Sequence, residues 1–247
     1  MTPLASARAP RKDAATNRQA LVDAAVVALD RDPDASLETI ATAAGLSRRA
    51  VYGHFATRDD LVREVLQRGA RRIVESLAGI THDDSRIHVA LIGARLWAEV
   101  EQVRVMARVA VRGPLAREVA TELAPLRAEL QRVVERGMAS GELRDDIPAP
   151  TLARLVEGGA LAVLDEATRS DIGRAEGHSL VILTSLALCG LDWRAAGALI
   201  AATPELREVA PRVSEPARVS AAARVSEPAR VSTAARVSGE ARTEAAS

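Results

Sequence analysis

The side chains best able to do chemistry lie in one short stretch, Arg48–Arg58, and what they can do is hydrogen-bond to nucleic acid. A guanidinium such as that of Arg49 can bond bidentately to guanine O6 and N7, and a small residue such as Ala50 can touch a thymine methyl. Gly53 leaves room for a sugar-phosphate backbone, and Tyr52, His54 and Arg58 can donate to phosphate oxygens. The residue types needed for bond-making chemistry are scattered. His54, His82, His88 and His178 have no metal-ligand spacing, and Cys189 has no histidine near it in sequence. No glycine-rich loop is placed to cradle a phosphate. These residues point to a binding protein and not an enzyme, with no cofactor and no metal.

For those donors to reach a groove, two short helices must hold them at an angle. Ser36 reads as the N-cap of a helix over Leu37–Ala44, and Gly45 as the positive-φ residue of a tight turn. Ser47 reads as the N-cap of a second helix over Arg48–His54. Ala41, Gly45 and Val51 stand at helix-turn-helix spacing: a small residue for close approach, a turn glycine, and a plug that closes the angle with Ile40 and Leu46. At about 100° per residue, Val51 and Phe55 face inward while Arg49 and Gly53 point nearly opposite, flanked by Ala50 and Tyr52. Tyr52 and Phe55 are the only tyrosine and phenylalanine of the chain, which marks Val51–Phe55 as functional. Thr57 reads as the cap of a longer helix bearing Leu61, Val65, Gly69, Ile73 and Leu77, whose positive N-terminus adds to the pull on phosphate.

The remainder of the 247 residues reads as all-α. Aromatics make up only 2%, and Ala, Leu, Val, Arg and Glu dominate, a mixture that loses little freedom in a helix. The formal charge is zero, so affinity for nucleic acid has to come from a local basic face. Four segments are expected: a disordered basic arm over 1–12 with Arg8, Arg11 and Lys12, a DNA-binding domain over 13–60, a helical domain over 61–205, and a tail over 206–247. In the second domain helices are expected over Asp84–Ala110 (continuous or broken), Leu115–Ala139 with a bend at Pro125, Pro150–Thr168, Ala175–Cys189 and Trp193–Ala202. The tail repeats every six residues, with arginine at 212, 218, 224, 230, 236 and 242. Its valines would spiral around a helix and form no stripe, so it reads as a solvated, disordered segment. No segment is long and apolar enough to cross a membrane and no secretory signal is visible, so a cytoplasmic protein is expected.

The stretch Asn17–Leu66, above all Ile40–Leu66, resembles the DNA-binding domain of TetR-family regulators, through Gly45-Leu46-Ser47, Tyr52, His54-Phe55 and Arg58. Gly137–Gly159 resembles, more loosely, the joint between two later helices of that family. The resemblance implies that Arg48, Arg49 and Ala50 lie at base edges. It also implies that Ser47, Tyr52, His54, Arg58 and Thr39 hold phosphates of a double-stranded operator. Leu29 and the Asp32-Pro33-Asp34 loop depart from the family pattern, and Arg49 stands where many relatives have a small residue. The resemblance further implies a homodimer and a small-molecule effector. Gly158, Gly159, Ala160, Ala162 and Ala187 are then candidates for close packing between subunits, although small residues serve equally inside one subunit. Trp97 and Met106 are candidates for an aliphatic pocket that suits a lipophilic ligand. The competing classes are an enzyme and a helical regulator acting without an effector.

Overall fold

The computed structural model describes the backbone of residues 9–207 and the side chains of residues 14–207. Among the described residues every regular element is a helix. The first four are α1 (Ala9–Arg31), α2 (Leu37–Ala43), α3 (Arg48–His54) and α4 (Arg58–Leu77). Then come α5 (Ser85–Val100), α6 (Arg104–Arg112), α7 (Ala116–Glu122) and α8 (Ala124–Ala139). The last are α9 (Ala149–Arg169), α10 (Arg174–Leu188), α11 (Trp193–Ala202) and α12 (Pro204–Arg207).

Local rules set the helix ends near the expected site. Ser36, Ser47 and Thr57 each accept a hydrogen bond from the backbone N–H three residues on, which satisfies a donor that has no helical partner. Asp60 completes a capping box by accepting from the Thr57 N–H at 3.1 Å. Gly45 sits at φ +70°, with its N–H on Thr42 O and the Leu46 N–H on Ala41 O. That is a Schellman closure, and a side chain there would be strained.

Three apolar clusters follow. The first joins α1–α4 through Leu21, Leu29, Ile40, Val51, Phe55 and Leu61, and it also takes Met106 of α6 and Val119 of α7. The second packs α5, α9, α10, α11 and α12, and the third packs α5, α8 and α9 against the end of α4. The boundary expected at residue 60 falls inside α4, whose Leu61, Val65 and Leu66 belong to the first cluster and Leu77 to the third. One helix thus runs through both bodies.

Several expected boundaries need correcting. Residues 9–12, placed in a disordered arm, begin α1, while residues 1–8 lie outside the described part. Residues 206 and 207, placed in the tail, end α12 instead: Leu206 is buried in the second cluster and its carbonyl accepts from His178 Nε2 at 3.0 Å. The repeat segment lies outside the described residues. The span Asp84–Ala110 is broken at residues 101–103: Arg104 Nε donates to Glu101 O, and the Met106 N–H leaves the helix ladder for Asp30 Oδ1 of α1. The bend expected at Pro125 is a full break into α7 and α8, with proline in the first turn of α8.

Candidate nucleic-acid interface and internal cavity

The second helix of the helix-turn-helix divides as its periodicity predicts. Val51 and Phe55 are buried, whereas Arg48, Arg49, Tyr52 and Gly53 are exposed and Ala50 and His54 half-buried. Arg49 makes no hydrogen bond or ion pair among the described residues, so its fork is available to an external acceptor. A Cβ built on Gly53 would meet nothing within 4 Å, which leaves open space over that turn. Ser47 and Thr39 are exposed, but their hydroxyls are engaged in capping: Ser47 Oγ accepts from Ala50 N at 3.2 Å, and Thr39 Oγ1 lies 2.9 Å from Ser36 Oγ.

Two features of this face lie outside any local pattern. Glu38 of α2 accepts a 2.8 Å hydrogen bond from the Tyr52 hydroxyl and stands 3.3 Å from Arg48 Nε, whose guanidinium also lies over the Tyr52 ring. The Tyr52 hydroxyl, with smaller help from Arg48, holds the Glu38 carboxyl below the usual carboxylate range. Arg18 of α1 covers the other end of the helix. Its guanidinium stacks 4.4 Å from the Phe55 ring, donates to His54 O and pairs with Glu64. Arg58 is turned away from the surface expected for it. Its Nε donates to Ala35 O at 2.9 Å and its Nη2 to Pro33 O, so it closes the α1–α2 loop, whose carbonyls have no helical partner.

Between the helix-turn-helix and the rest lies a cavity of about 410 Å³. Its walls are mostly aliphatic, and it is lined from α1 (Val22, Val26), α4 (Val65, Gly69), α5 (Ile92, Trp97), α6 (Met106) and α8 (Leu130), as well as from α9 and α10. Trp97 and Met106 both line it. Trp97 is also a buried core residue whose Nε1 donates to Arg174 O at 2.9 Å, and Met106 packs with the α1–α4 cluster. The small residues of α9 and α10 separate. Gly158, Ala162 and Ala187 are exposed. Gly159 instead seats α9 on α10 within the chain, since a Cβ there would lie 2.7 Å from Leu188 Cδ1 and 2.9 Å from Thr184 Cγ2. The thiol of Cys189 is pushed up to about 12 by burial, so almost none of it is thiolate at neutral pH. Among the described residues no helix could cross a membrane and no cluster of three or more His, Cys, Asp or Glu residues could hold a metal.

A helix-turn-helix with an exposed basic second helix, carried on a hollow helical body, defines a DNA-binding regulator of the helix-turn-helix class. The sequence model for bacterial regulatory proteins of the tetR family matches residues 20–65. That match spans most of α1, the helix-turn-helix and the first part of α4, so it is the DNA-binding part of the chain that is similar to that family. No curated protein matches the sequence. Solved structures share the fold at low identity. The fatty acid degradation regulator FadR from Bacillus halodurans aligns with a TM-score of 0.61 at 17% identity, over 70% of this chain and 94% of its own. SmeT, the repressor of the Stenotrophomonas maltophilia multidrug efflux pump SmeDEF, gives 0.53 at 20% identity over 80% and 97%. FadR from Bacillus subtilis in complex with stearoyl-CoA gives 0.56 at 16% identity over 69% and 97%.

Proposed function

We propose that the protein is a homodimeric, cytoplasmic repressor that holds a double-stranded DNA operator and is released by a small lipophilic effector. The reading rests above all on α3, which presents Arg48, Arg49, Tyr52 and Gly53 outward while Val51 and Phe55 lock it to α2 and α1. Arg48, Arg49 and Ala50 then lie at base edges, and Tyr52, His54, Ser47 and Thr39 meet phosphates, Arg48 and Tyr52 once they part from Glu38. The buried thiol and scattered histidines support a regulator and not an enzyme.

The partner subunit would sit on α9 and α10. Leu155, Gly158 and Ala162 follow one another at three and four residues along α9, and Leu183 and Ala187 at four along α10, all of them exposed. Apolar and small residues at that spacing form a face that a second copy would bury. The aliphatic cavity supports a lipophilic effector, in keeping with the stearoyl-CoA bound to the Bacillus subtilis regulator. Its walls include α1 and α4, so an occupant touches the helices that carry the reader. An effector acts only by favouring one of two dimer shapes. In the competent one the reading helices would lie about one DNA turn apart, ~34–36 Å.

Selection of random duplex DNA on the full chain, followed by sequencing, tests this. Enrichment of a two-fold related site with half-sites about 10 base pairs apart, or a multiple of that, is expected. Retention of DNA with no enriched sequence would overturn the operator reading.

A further inference from the structure

The cavity reaches the surface along α1 and α4. Of its lining residues only Gln19, Arg68 and Arg72 are exposed, and they mark the mouth. Arg68 and Arg72 lie one turn apart on α4, so both guanidiniums stand on the same rim. Behind that rim the walls are aliphatic.

Neither rim guanidinium is spent on its partner. Arg68 donates to Gln19 Oε1 at 2.6 Å but stands 3.8 Å from Asp23, too far for a hydrogen bond. Arg72 Nε lies 3.3 Å from Glu99, a wholly buried side chain that Arg95 also approaches, at 3.6 Å. Glu99 thus serves two guanidiniums from behind, where no ligand reaches it. Arg68, Arg72 and Arg95 stand against only Asp23 and Glu99, which leaves one positive charge over. The remaining ion pair of the lining is closed. Arg127 donates through Nε and Nη2 to Glu157 and through Nη1 to Ala120 O, so its fork is filled.

We propose that the cavity takes a lipophile with one carboxylate head, its tail among the aliphatic walls and its head at Arg68 and Arg72. This rests on the reading of the cavity as an effector site and names the effector's chemistry. At the mouth the head keeps part of its water, so it escapes most of the cost of burying a charge. Two guanidiniums open to solvent supply the forked donors that suit a carboxylate. A doubly charged head would exceed the one charge left over. An ammonium would meet that charge as a like charge, and an uncharged head gains nothing from it. Both arginines belong to α4, so the head is held by the helix that leads to the reader.

The test is calorimetric titration of the full chain, near neutral pH, with decanoate, decanol and decylammonium. Decanoate is expected to bind about tenfold more tightly than decanol, and decylammonium most weakly. The advantage of decanoate should shrink as salt rises, while the affinity for decanol holds. Arg68→Gln combined with Arg72→Gln, checked for folding by its thermal transition, should abolish the preference for decanoate and leave decanol binding within about twofold. Asp23→Asn, whose amide oxygen can still accept from Gln19, should instead tighten decanoate. The ranking and its salt dependence on the native chain stand alone if the variants do not fold. Decanol or decylammonium binding as tightly as decanoate, or a preference that survives loss of both arginines, overturns the proposed chemistry and leaves the cavity an effector site. Binding of none of the probes by a chain that still binds DNA overturns the effector reading itself.

Discussion

The Tyr52 hydroxyl donates a 2.8 Å hydrogen bond to Glu38 Oε1, which tethers the exposed aromatic of α3 to an acid of α2. The same carboxylate stands 3.3 Å from Arg48 Nε. In the free protein Glu38 thus occupies two donors that DNA would otherwise take. Its negative charge also lies on the side that DNA must approach. Glu38→Gln is expected to tighten DNA binding severalfold at low salt, with the gain shrinking as salt rises and screening sets in. Fluorescence anisotropy over a salt series measures it, and weaker binding by the variant would contradict the competition.

Arg49 has the opposite expectation. It is exposed and unpaired among the described residues, so replacing it should leave the fold intact. Arg49→Ala is expected to weaken binding to the selected operator by about 1–3 kcal/mol while leaving non-specific binding and dimerisation nearly unchanged. Gel-shift titration on operator and scrambled duplexes separates the two effects. An equal loss on both would make Arg49 a phosphate contact.

The pair also shows how far the sequence could be read. Ser36, Gly45, Ser47 and Thr57 act over three or four residues, so the helix-turn-helix and the outward set on α3 were legible from spacing alone. Arg18, Glu38 and Arg58 act across 36, 14 and 23–25 residues. No local pattern announces such partners, and Arg58 in particular could not be seen turning inward to the loop carbonyls. A break was left open within Asp84–Ala110, but its position between α5 and α6 was hidden for the same reason. No proline or glycine marks it, and Asp30 of α1 takes the Met106 N–H that a continuous helix would have kept. Gly159 shows the limit of composition: a stripe of small residues does not say whether the surface it fits belongs to this chain or to another.

Gly177 makes room for Trp97. A Cβ there would lie 2.0 Å from Cζ2 and 2.4 Å from Cε2 of the ring. The indole cannot swing away cheaply, because it is buried and its N–H is bonded to Arg174 O. Gly177→Ala is expected to destabilise the fold by about 1–3 kcal/mol, despite alanine's better helix propensity. Urea unfolding at fixed protein concentration checks it. A more stable variant would mean that α5 and α10 separate easily.

The face of Leu155 and Leu183 offers a test of assembly with little risk to folding. Both side chains are more than a third exposed, so a charge placed there costs one subunit little. In a dimer the same charge would be buried opposite its own symmetry mate. Leu155→Glu combined with Leu183→Glu is expected to convert a dimer into a folded monomer that binds operator at least tenfold more weakly. Sedimentation equilibrium and circular dichroism read the two properties separately. A dimer that persists would move the interface off α9 and α10.

His88 gives the fold a dependence on pH whose sign follows from its partners. Its ring is buried, with Nε2 3.0 Å from Ile80 O and Nδ1 3.0 Å from Arg136 Nη2. The carbonyl must accept from Nε2–H and the guanidinium must donate to Nδ1, so the ring is neutral, and a second proton would point at a cation. Burial first, and Arg136 next, hold its pKa below the ordinary 6.5. The unfolded chain therefore takes up this proton before the folded one does. The stability from His88 is present above about pH 6.5 and is lost as pH falls below it, by up to ~1.4 kcal/mol per unit until the folded ring itself titrates. The carboxylates of Asp84 and Glu142, held below their usual range chiefly by Arg86 and by the Ser85 N–H, lose their contribution only at lower pH. Urea midpoints taken between pH 7.5 and 5 should fall with acid in the native chain and flatten in His88→Gln, whose amide can still donate and accept. An unchanged slope in that variant would place the acid sensitivity elsewhere.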